Sequence, residues 1–399
     1  MENAIGRRSA APLAGRAVAA TANDRLLENC RRVICMFSIV YCRRGNFLQQ
    51  SGYNPAVRIA FIILVFCSSV LAQRWSVQTS GLDTNLRGIS VKYGSTKGKR
   101  DFIVWASGSN GVILRSTTGG RSWKQLNVPG ATDFDFRDIE GFDADTAYVM
   151  SSGDGDKSRI YKTTDGGNTW TLQYSDKRPG FFLDSLACDS EIHCVALSDS
   201  VEGKFLVLST DDGERWKELP RDKMPGILSG EGAFAASGTA IVLCAHDNFY
   251  FGTGGGRVAR VFHSNDRGRS WTATETPIAS GNASSGIFSV TCTGHSVVAV
   301  GGDYKEPAGA KRVAVYSKDS GKTWHLAEQQ PGGYRSAVAS DSHGNFVAVG
   351  PSGTDISRDA GVHWKFLDVQ NFNAASCADT EGWAAGAKGT IARLKTHYE

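Results

Sequence analysis

Three arginines recur at one position relative to the tryptophans of this chain. Arg87, Arg137 and Arg335 each follow a tryptophan by 11 to 14 residues. A guanidinium group presents paired N–H donors that bind both oxygens of a carboxylate together. If the three side chains converge, the sequence predicts a site for an acidic peptide, a carboxylate or an anionic glycan. The alternative is that each arginine forms an ion pair within the fold, for example with Asp138 or Asp184.

Further polar side chains occur in or near glycine-rich segments in the middle of the chain. They are Glu231, Arg260, Asp303, Tyr304 and Tyr334. Loops held on a rigid scaffold are where binding groups usually lie. These residues, together with the three arginines, are therefore the candidate ligand- or partner-binding residues. The alternative is that the segments are simply long hairpins.

An octapeptide of the form Ser/Thr-x-Asp-x-Gly-x-x-Trp occurs six times, and it indicates the scaffold on which these residues lie. Each copy lies between two strand-like runs and predicts a tight hairpin turn. The glycine allows a positive φ, and the aspartate accepts hydrogen bonds from backbone N–H groups of its own loop. In the first copy Thr118 replaces the aspartate, so we expect that turn to be the least rigid. The six copies begin at Ser116, Thr163, Ser209, Ser264, Ser317 and Ser357.

The spacing of these octapeptides predicts a propeller. Their tryptophans lie about 40 to 55 residues apart, the period of a four-stranded blade. Trp75 begins a strand-like segment with no octapeptide before it, and residues 382–394 resemble the strands that precede an octapeptide, yet none follows. The C-terminal segment therefore lacks an outer strand, and the N-terminal segment can supply it. We therefore predict an all-β, seven-bladed β-propeller over residues 73–399, its ring closed by the N-terminal strand joining the C-terminal blade.

The octapeptide resembles the Asp-box, or bacterial-neuraminidase repeat, which lies on the outer rim of propellers that carry it. Together with the phrases at 86–89, 136–139 and 382–386, it makes the chain similar to the photosystem II stability/assembly factor family of propellers. This resemblance covers Trp75 to Leu394. It implies a non-enzymatic periplasmic or lumenal binding module that helps another protein to assemble, with no catalytic residue.

Asp-boxes also occur in sialidases, so a sialidase-like glycoside hydrolase is the alternative function. That chemistry uses a tyrosine nucleophile with a carboxylate partner, which Tyr304 or Tyr334 and Glu231 could supply beside an arginine triad. The Arg-Ile-Pro phrase that usually carries the first sialidase arginine is absent from the sequence, which favours binding over catalysis. The sequence also lacks clustered His/Cys spacing and a dinucleotide fingerprint followed by a helix, so we expect neither a metal nor another cofactor.

Residues 1–72 differ from the rest of the chain in charge. They carry nine arginines, no lysine and three acidic residues, so the net charge of +4 for the whole chain leaves −2 for the propeller. A propeller this close to neutral lacks the basic face that a nucleic-acid partner requires. We therefore expect a protein or an anionic ligand as partner, and no nucleic acid.

An apolar run at residues 59–72 follows Arg58 and ends at Ala72, as in a secretory signal peptide cleaved before Gln73. We expect residues 1–56 to be a basic leader that is disordered or lies upstream of the true start. Residues 57–72 would be a signal peptide or short anchor. The propeller would then be exported to the periplasm or outside the cell, monomeric, and associated with a membrane only through the leader.

The cysteines are compatible with export, and four of the nine lie in the leader. Cys188 and Cys194 flank a predicted hairpin tip and form a candidate disulfide. Cys244, Cys292 and Cys377 lie in apolar strand-like runs, where we expect small buried residues.

Overall fold

A computed structural model of the chain describes residues 75–96, 98–244 and 247–395. These residues form seven antiparallel four-stranded sheets and no helix, which confirms the predicted all-β, seven-bladed propeller. No helix in this part of the chain is therefore long and apolar enough to cross a membrane. The expectations for the 1–56 leader and the 57–72 segment lie outside the described residues.

The strands follow the blade order of the sequence, and the first strand of the chain belongs to the last blade. Strand β1 (Ser76–Thr79) is the outermost strand of blade 7. The other strands are given from the innermost to the outermost of each blade: blade 1 contains β2 (Leu86–Thr96), β3 (Lys99–Gly108), β4 (Ile113–Ser116) and β5 (Lys124–Leu126), and blade 2 contains β6 (Asp135–Gly141), β7 (Ala147–Ser152), β8 (Arg159–Thr163) and β9 (Thr171–Ser175). Blade 3 contains β10 (Leu183–Ser190), β11 (His193–Val201), β12 (Lys204–Thr210) and β13 (Lys217–Glu218), and blade 4 contains β14 (Ile241–Cys244), β15 (Asn248–Gly252), β16 (Ala259–Ser264) and β17 (Thr272–Thr276). Blade 5 contains β18 (Ser285–Thr293), β19 (Ser296–Asp303), β20 (Ala314–Ser317) and β21 (His325–Leu326), blade 6 contains β22 (Ala337–Ser340), β23 (Phe346–Gly350), β24 (Gly353–Ser357) and β25 (Lys365–Asp368), and blade 7 contains β26 (Ala374–Ala378), β27 (Glu381–Ala385) and β28 (Thr390–Lys395) besides β1.

The first strand of each blade forms the inner ring, because these strands contact one another around the axis. Strand β1 pairs antiparallel with β28, with Ser76 opposite Arg393 and Thr79 opposite Thr390. The N-terminal strand and the three C-terminal strands are thus hydrogen-bonded in one sheet. Strand β26 of this sheet contacts β22 of blade 6 on one side and β2 of blade 1 on the other.

Apolar side chains fill the seven interfaces between neighbouring blades. Between blades 1 and 2, for example, Trp105 and Phe136 are fully buried, and the octapeptide tryptophan Trp170 packs against the cluster that contains them. The rings of Trp105 and Trp170 meet edge to face with centroids 6.4 Å apart. A blade cannot bury its apolar faces alone, so the stability of each blade depends on its two neighbours.

The octapeptide turns form the hydrogen bonds that the sequence predicts. In the second copy the Thr163 hydroxyl accepts a bond from the Gly167 amide at 2.9 Å and donates to Asp165 Oδ1 at 2.9 Å. Asp165 also accepts from the amide of Thr169 at 2.9 Å and from its hydroxyl at 2.7 Å. Gly167 has a φ of 80°. In the first copy Thr118 replaces the carboxylate and accepts from the Ser122 amide at 3.0 Å.

The third octapeptide turn is one residue shorter than the sequence alignment implies. Its acceptor is Asp212, which receives the amide of Arg215 at 2.8 Å, rather than Asp211. Asp211 instead forms ion pairs with Lys217 at 2.8 Å and with Arg267 of the next blade at 2.7 Å. The alignment placed Asp211 in the turn because the two aspartates are adjacent and either one fits the pattern approximately.

Two disulfides are present among the described cysteines. One joins Cys188 to Cys194, the pair that the sequence singled out, across β10 and β11. The other joins Cys244 of β14 to Cys292 of β18 and links the inner strands of blades 4 and 5. The sequence predicted small buried residues at these two positions and did not predict the bridge, which forms because the ring brings neighbouring inner strands together. Cys377 is free, and burial strongly raises the pKa of its thiol.

Candidate functional site

Four inner strands contain an extra residue near their beginning, at the end of the ring that we call the channel mouth. In each case two consecutive residues of the neighbouring strand pair with residues on either side of the extra one. Such a bulge re-aims the side chain of the unpaired residue. The four unpaired residues are Arg87 in β2, Arg137 in β6, Asp184 in β10 and Phe288 in β18. The bulges therefore explain why two arginines spaced alike in sequence meet at one site.

A cavity of about 440 Å³ opens at the channel mouth. Its walls combine two guanidinium groups, three aromatic rings of blades 5 and 6, a short segment of the long connection between blades 3 and 4, and two asparagines. The lining residues are Arg87, Arg137, Phe234, Ala235, Ala236, Phe288, Tyr304, Tyr334, Ser336, Pro351, Asn371 and Asn373. Of the sequence-predicted residues, Arg87, Arg137, Tyr304 and Tyr334 are thus brought together.

The two arginines of the cavity converge on one backbone oxygen. Arg137 donates to the carbonyl of Ala235 at 3.0 Å, and Arg87 donates to the same oxygen at 3.2 Å. Arg137 also forms an ion pair with Asp135 at 2.7 Å. Burial, and then the nearby charge of Arg137, lower the pKa of Arg87. The Nε atom of Arg87 is buried without a hydrogen-bond partner, so this guanidinium has unused capacity to donate.

Aromatic rings form the opposite wall of the cavity. Phe288 stacks on Phe234 with ring centroids 3.9 Å apart and meets Tyr334 edge to face at 4.8 Å. Tyr304 meets the edge of Phe288 at 6.1 Å and is 48% exposed, whereas Tyr334 is 5% exposed. Burial raises the pKa of the Tyr334 hydroxyl well above its ordinary value. Tyr334 is therefore a neutral wall residue at physiological pH.

One buried and one half-buried carboxyl group lie close to each other near Arg137. Asp184 is 1% exposed, and one of its carboxylate oxygens, Oδ2, has no hydrogen-bond partner. Burial, and then the charge of Asp199, raise the pKa of Asp184 well above its ordinary value. Asp199 accepts the amide of Ala233 at 3.0 Å, and burial raises its pKa as well. The sequence suggested Asp184 as an ion-pair partner, but in the structure it is not bonded to an arginine.

Arg335 lies away from the cavity, and its position contradicts the expected third arginine at the mouth. It is fully buried and forms an ion pair with Asp355, which is 1% exposed. Its guanidinium also donates to the Ser352 hydroxyl at 2.7 Å and to the Tyr334 carbonyl at 2.9 Å. Strand β22 begins only at Ala337, so Arg335 precedes the strand and turns into blade 6. Arg335 thus forms an ion pair within the fold, which was the alternative to a binding role.

Glu231 and Arg260 form a second buried ion pair rather than part of the cavity wall. Arg260 Nε donates to Glu231 Oε1 at 2.8 Å, and the hydroxyl of Thr253 donates to the same oxygen at 2.7 Å. The amide of Leu228 donates to the other carboxylate oxygen at 2.8 Å. Neither tyrosine of the cavity is among the partners of Glu231. The arrangement therefore holds the blade 3–4 connection onto blade 4 and does not assemble the tyrosine–carboxylate pair of a sialidase.

Asp303 does not line the cavity either. It accepts bonds from the amide of Lys305 at 2.9 Å and from the side chain of Asn282 at 3.0 Å. The structure thus assigns it to a turn beside Tyr304. Conversely, sequence reasoning did not find the carbonyl of Ala235, which receives both arginines, or the two asparagines, Asn371 and Asn373. A backbone oxygen leaves no signal in residue types, and the asparagines lie outside every repeated pattern.

No protein-family model and no curated protein matches this chain. Solved propellers do match it in structure. One described as YCF48 bound to D1 peptide has a TM-score of 0.57 at 15% identity and covers 81% of this chain and 97% of its own. YCF48 from Cyanidioschyzon merolae has a TM-score of 0.55 at 15% identity, covering 80% and 98%. A catalytically inactive virginiamycin B lyase from Staphylococcus aureus with quinupristin has a TM-score of 0.58 at 14% identity, covering 81% and 99%. These similarities show the propeller fold.

Proposed function

We propose that this chain is an exported, non-enzymatic propeller that recognises another protein at the channel mouth. Arg87 and Arg137 bind an anionic group of the partner, and the ring of Phe288 with Tyr304 and Tyr334 contacts an apolar part of it. The observation that carries the proposal is the convergence of both guanidiniums on one oxygen, beside aromatic rings, in an open cavity.

The similar propeller that was solved with a D1 peptide supports a peptide as the ligand class. The two disulfides support an oxidising compartment, since disulfides persist in secreted proteins and are rare in the cytosol. Periplasmic or extracellular location, a monomeric state and membrane association through the leader alone are part of the same proposal. Arg335, Glu231 and Arg260 are assigned to stability, because their charges are already paired in the interior.

The test is partner capture by the full chain from native envelope extract, followed by mass spectrometry. A double variant with Arg87→Ala and Arg137→Ala should lose the captured partner, whereas Arg257→Ala should retain it, because Arg257 is exposed and does not line the cavity. If the complex desolvates the arginine–anion contact, its loss costs about 2–5 kcal/mol of binding free energy. Both variants should keep the wild-type Tm, because apolar contacts between blades hold the ring.

Two results would contradict the proposal. One is a double variant that captures the same partner with unchanged affinity. The other is turnover of a sialoside that disappears when Tyr304 or Tyr334 is replaced by phenylalanine, which would identify a glycoside hydrolase.

A further inference from the structure

One short segment crosses the channel mouth and contacts the blades around it. We call residues 232–237 the mouth strap. Its Ala235 carbonyl receives Arg87 of blade 1 and Arg137 of blade 2. Its Ala233 amide donates to Asp199 of blade 3 at 3.0 Å. A single hexapeptide therefore connects three blades that are not its own.

The remaining contacts of the strap extend to blades 4, 5 and 6. Gly232 exchanges two backbone hydrogen bonds of 3.0 Å with Gly254 of blade 4. The ring of Phe234 stacks on Phe288 of blade 5. The hydroxyl of Ser237 donates to the carbonyl of Ser336 in blade 6 at 2.8 Å. The strap thus occupies the mouth by contacts that an incoming peptide could also make.

The strap leaves some of the hydrogen-bond donors of the two arginines unused. One neutral carbonyl is shared by two guanidinium groups, and the Nε atom of Arg87 has no partner. A carboxylate offers a guanidinium two charged acceptor oxygens, and such Arg–carboxylate pairs frequently form two parallel hydrogen bonds, which add both energy and geometric specificity. A carboxylate would therefore be a better occupant of this position than the Ala235 carbonyl.

The order of the chemical groups along the strap indicates which groups a ligand at this position should carry. Phe234 fills the aromatic position against Phe288, and the next residue, Ala235, supplies the oxygen to the arginines. Glycines with positive φ, Gly230 and Gly238, flank the segment at 74° and 76°, so the backbone can change direction on both sides of it.

We propose that the mouth strap is an internal pseudo-ligand, and that the partner displaces it by presenting an aromatic residue followed by an acidic residue. This inference rests on the proposed function and adds the ligand chemistry and the competing segment. The aromatic side chain of the partner takes the position of Phe234, and its carboxylate takes the position of the Ala235 carbonyl between Arg87 and Arg137.

The probe for the test is a fluorescein-labelled peptide of sequence Gly-Ser-Phe-Asp-Gly-Ser, whose binding to the full chain is followed by fluorescence anisotropy. Matched peptides carry Ala in place of Phe or Asn in place of Asp, and both should bind at least tenfold more weakly. Ser237→Ala removes a hydrogen bond that holds the strap closed, so it should tighten binding of the first peptide about fivefold. Ser342→Ala is the control, because its hydroxyl donates to the carbonyl of Asp379 away from the mouth, and should leave the affinity unchanged.

Hydrogen exchange of the wild-type chain provides a readout that needs no variant to fold. On addition of the peptide, the amides of Ala233 and Ala236, which are bonded in the closed strap, should lose protection. Gained protection at these amides would show that the peptide binds over a strap that stays in place, and would overturn the inference.

Three outcomes separate this inference from the proposed function. If the peptide fails to bind while partner capture still requires Arg87 and Arg137, the aromatic–acidic ligand class is wrong and the proposed function stands. If the peptide binds equally well to wild type and Ser237→Ala, the strap is no competitor. If partner capture is independent of both arginines, the proposed function itself is wrong.

Discussion

Replacing Arg335 by alanine should destabilise the propeller severely without affecting partner capture. The side chain is fully buried, and its ion pair with Asp355 is removed from water on both sides. After the substitution Asp355 retains only the amide of Gly332, at 3.2 to 3.3 Å, as the hydrogen-bond donor that we see on its carboxylate oxygens. Removing one partner of a buried pair typically costs about 3–5 kcal/mol of unfolding free energy. Because the entropy of unfolding grows with chain length, such a loss lowers Tm by roughly 4–7 °C in a domain of this size.

Thermal and urea unfolding followed by circular dichroism measure this loss. Arg121→Ala is the matched control, because Arg121 also pairs with an aspartate but its side chain is 58% exposed, and an exposed pair contributes about 0–1 kcal/mol. The double variant Arg335→Ala, Asp355→Ala should be less destabilised than the sum of the two single variants, because the pair is lost only once. A loss below about 1 kcal/mol for Arg335→Ala, or impaired capture at wild-type stability, would refute the reasoning.

Two further predictions concern the disulfides and the octapeptide turns. Replacing both cysteines of the Cys244–Cys292 bridge by serine should lower the unfolding free energy by about 4 kcal/mol, and the same change at Cys188–Cys194 should lower it by about 2 kcal/mol, because loop-closure entropy grows with the 48- and 6-residue separations. Urea titration of the two double variants measures both losses, and the reverse order would contradict this reasoning. The hydrogen bonds from Thr169 lower the pKa of Asp165 to about 2, so its stabilising effect is complete above the ordinary pKa near 3.8 and is lost as the pH falls towards 2. Asp165→Asn should therefore flatten the decline of Tm between pH 4 and 2. Thr118→Val removes a hydroxyl that does not titrate, so it should lower Tm equally at every pH. If Tm of Asp165→Asn declines in acid as steeply as that of the wild type, Asp165 does not contribute to the acid dependence of stability.

The blade number could be predicted from the sequence because the octapeptide turn depends on local chemistry. Its serine or threonine, aspartate and glycine contact one another within a few residues, so they leave a readable pattern. The third turn shows the limit of this approach, because a shift by one residue exchanges Asp211 for Asp212 without disturbing the pattern. The Cys244–Cys292 bridge was not predicted, because it depends on which inner strands become neighbours in the ring.

The candidate site was predicted only in part, for a similar reason. Arg87, Arg137 and Arg335 share a spacing from tryptophan, but only the first two occupy bulges of an inner strand. Arg335 precedes β22, and this small difference in position directs its side chain into the interior instead of the mouth. Sequence spacing has an uncertainty of one or two residues, which is enough to move a side chain from a binding cavity to a core.

Because of the four bulges at the mouth, the residues that contact a ligand can change in evolution without a change in the fold. A residue in such a bulge has no partner in the strand ladder, so its identity is not constrained by the pairing that builds the blade. In this chain the four positions hold two arginines, an aspartate and a phenylalanine on strands that otherwise pair alike. Substitution at these positions can change which ligand is preferred while the ring is conserved. Propellers that share one architecture can thereby diverge to unrelated partners by a few point mutations.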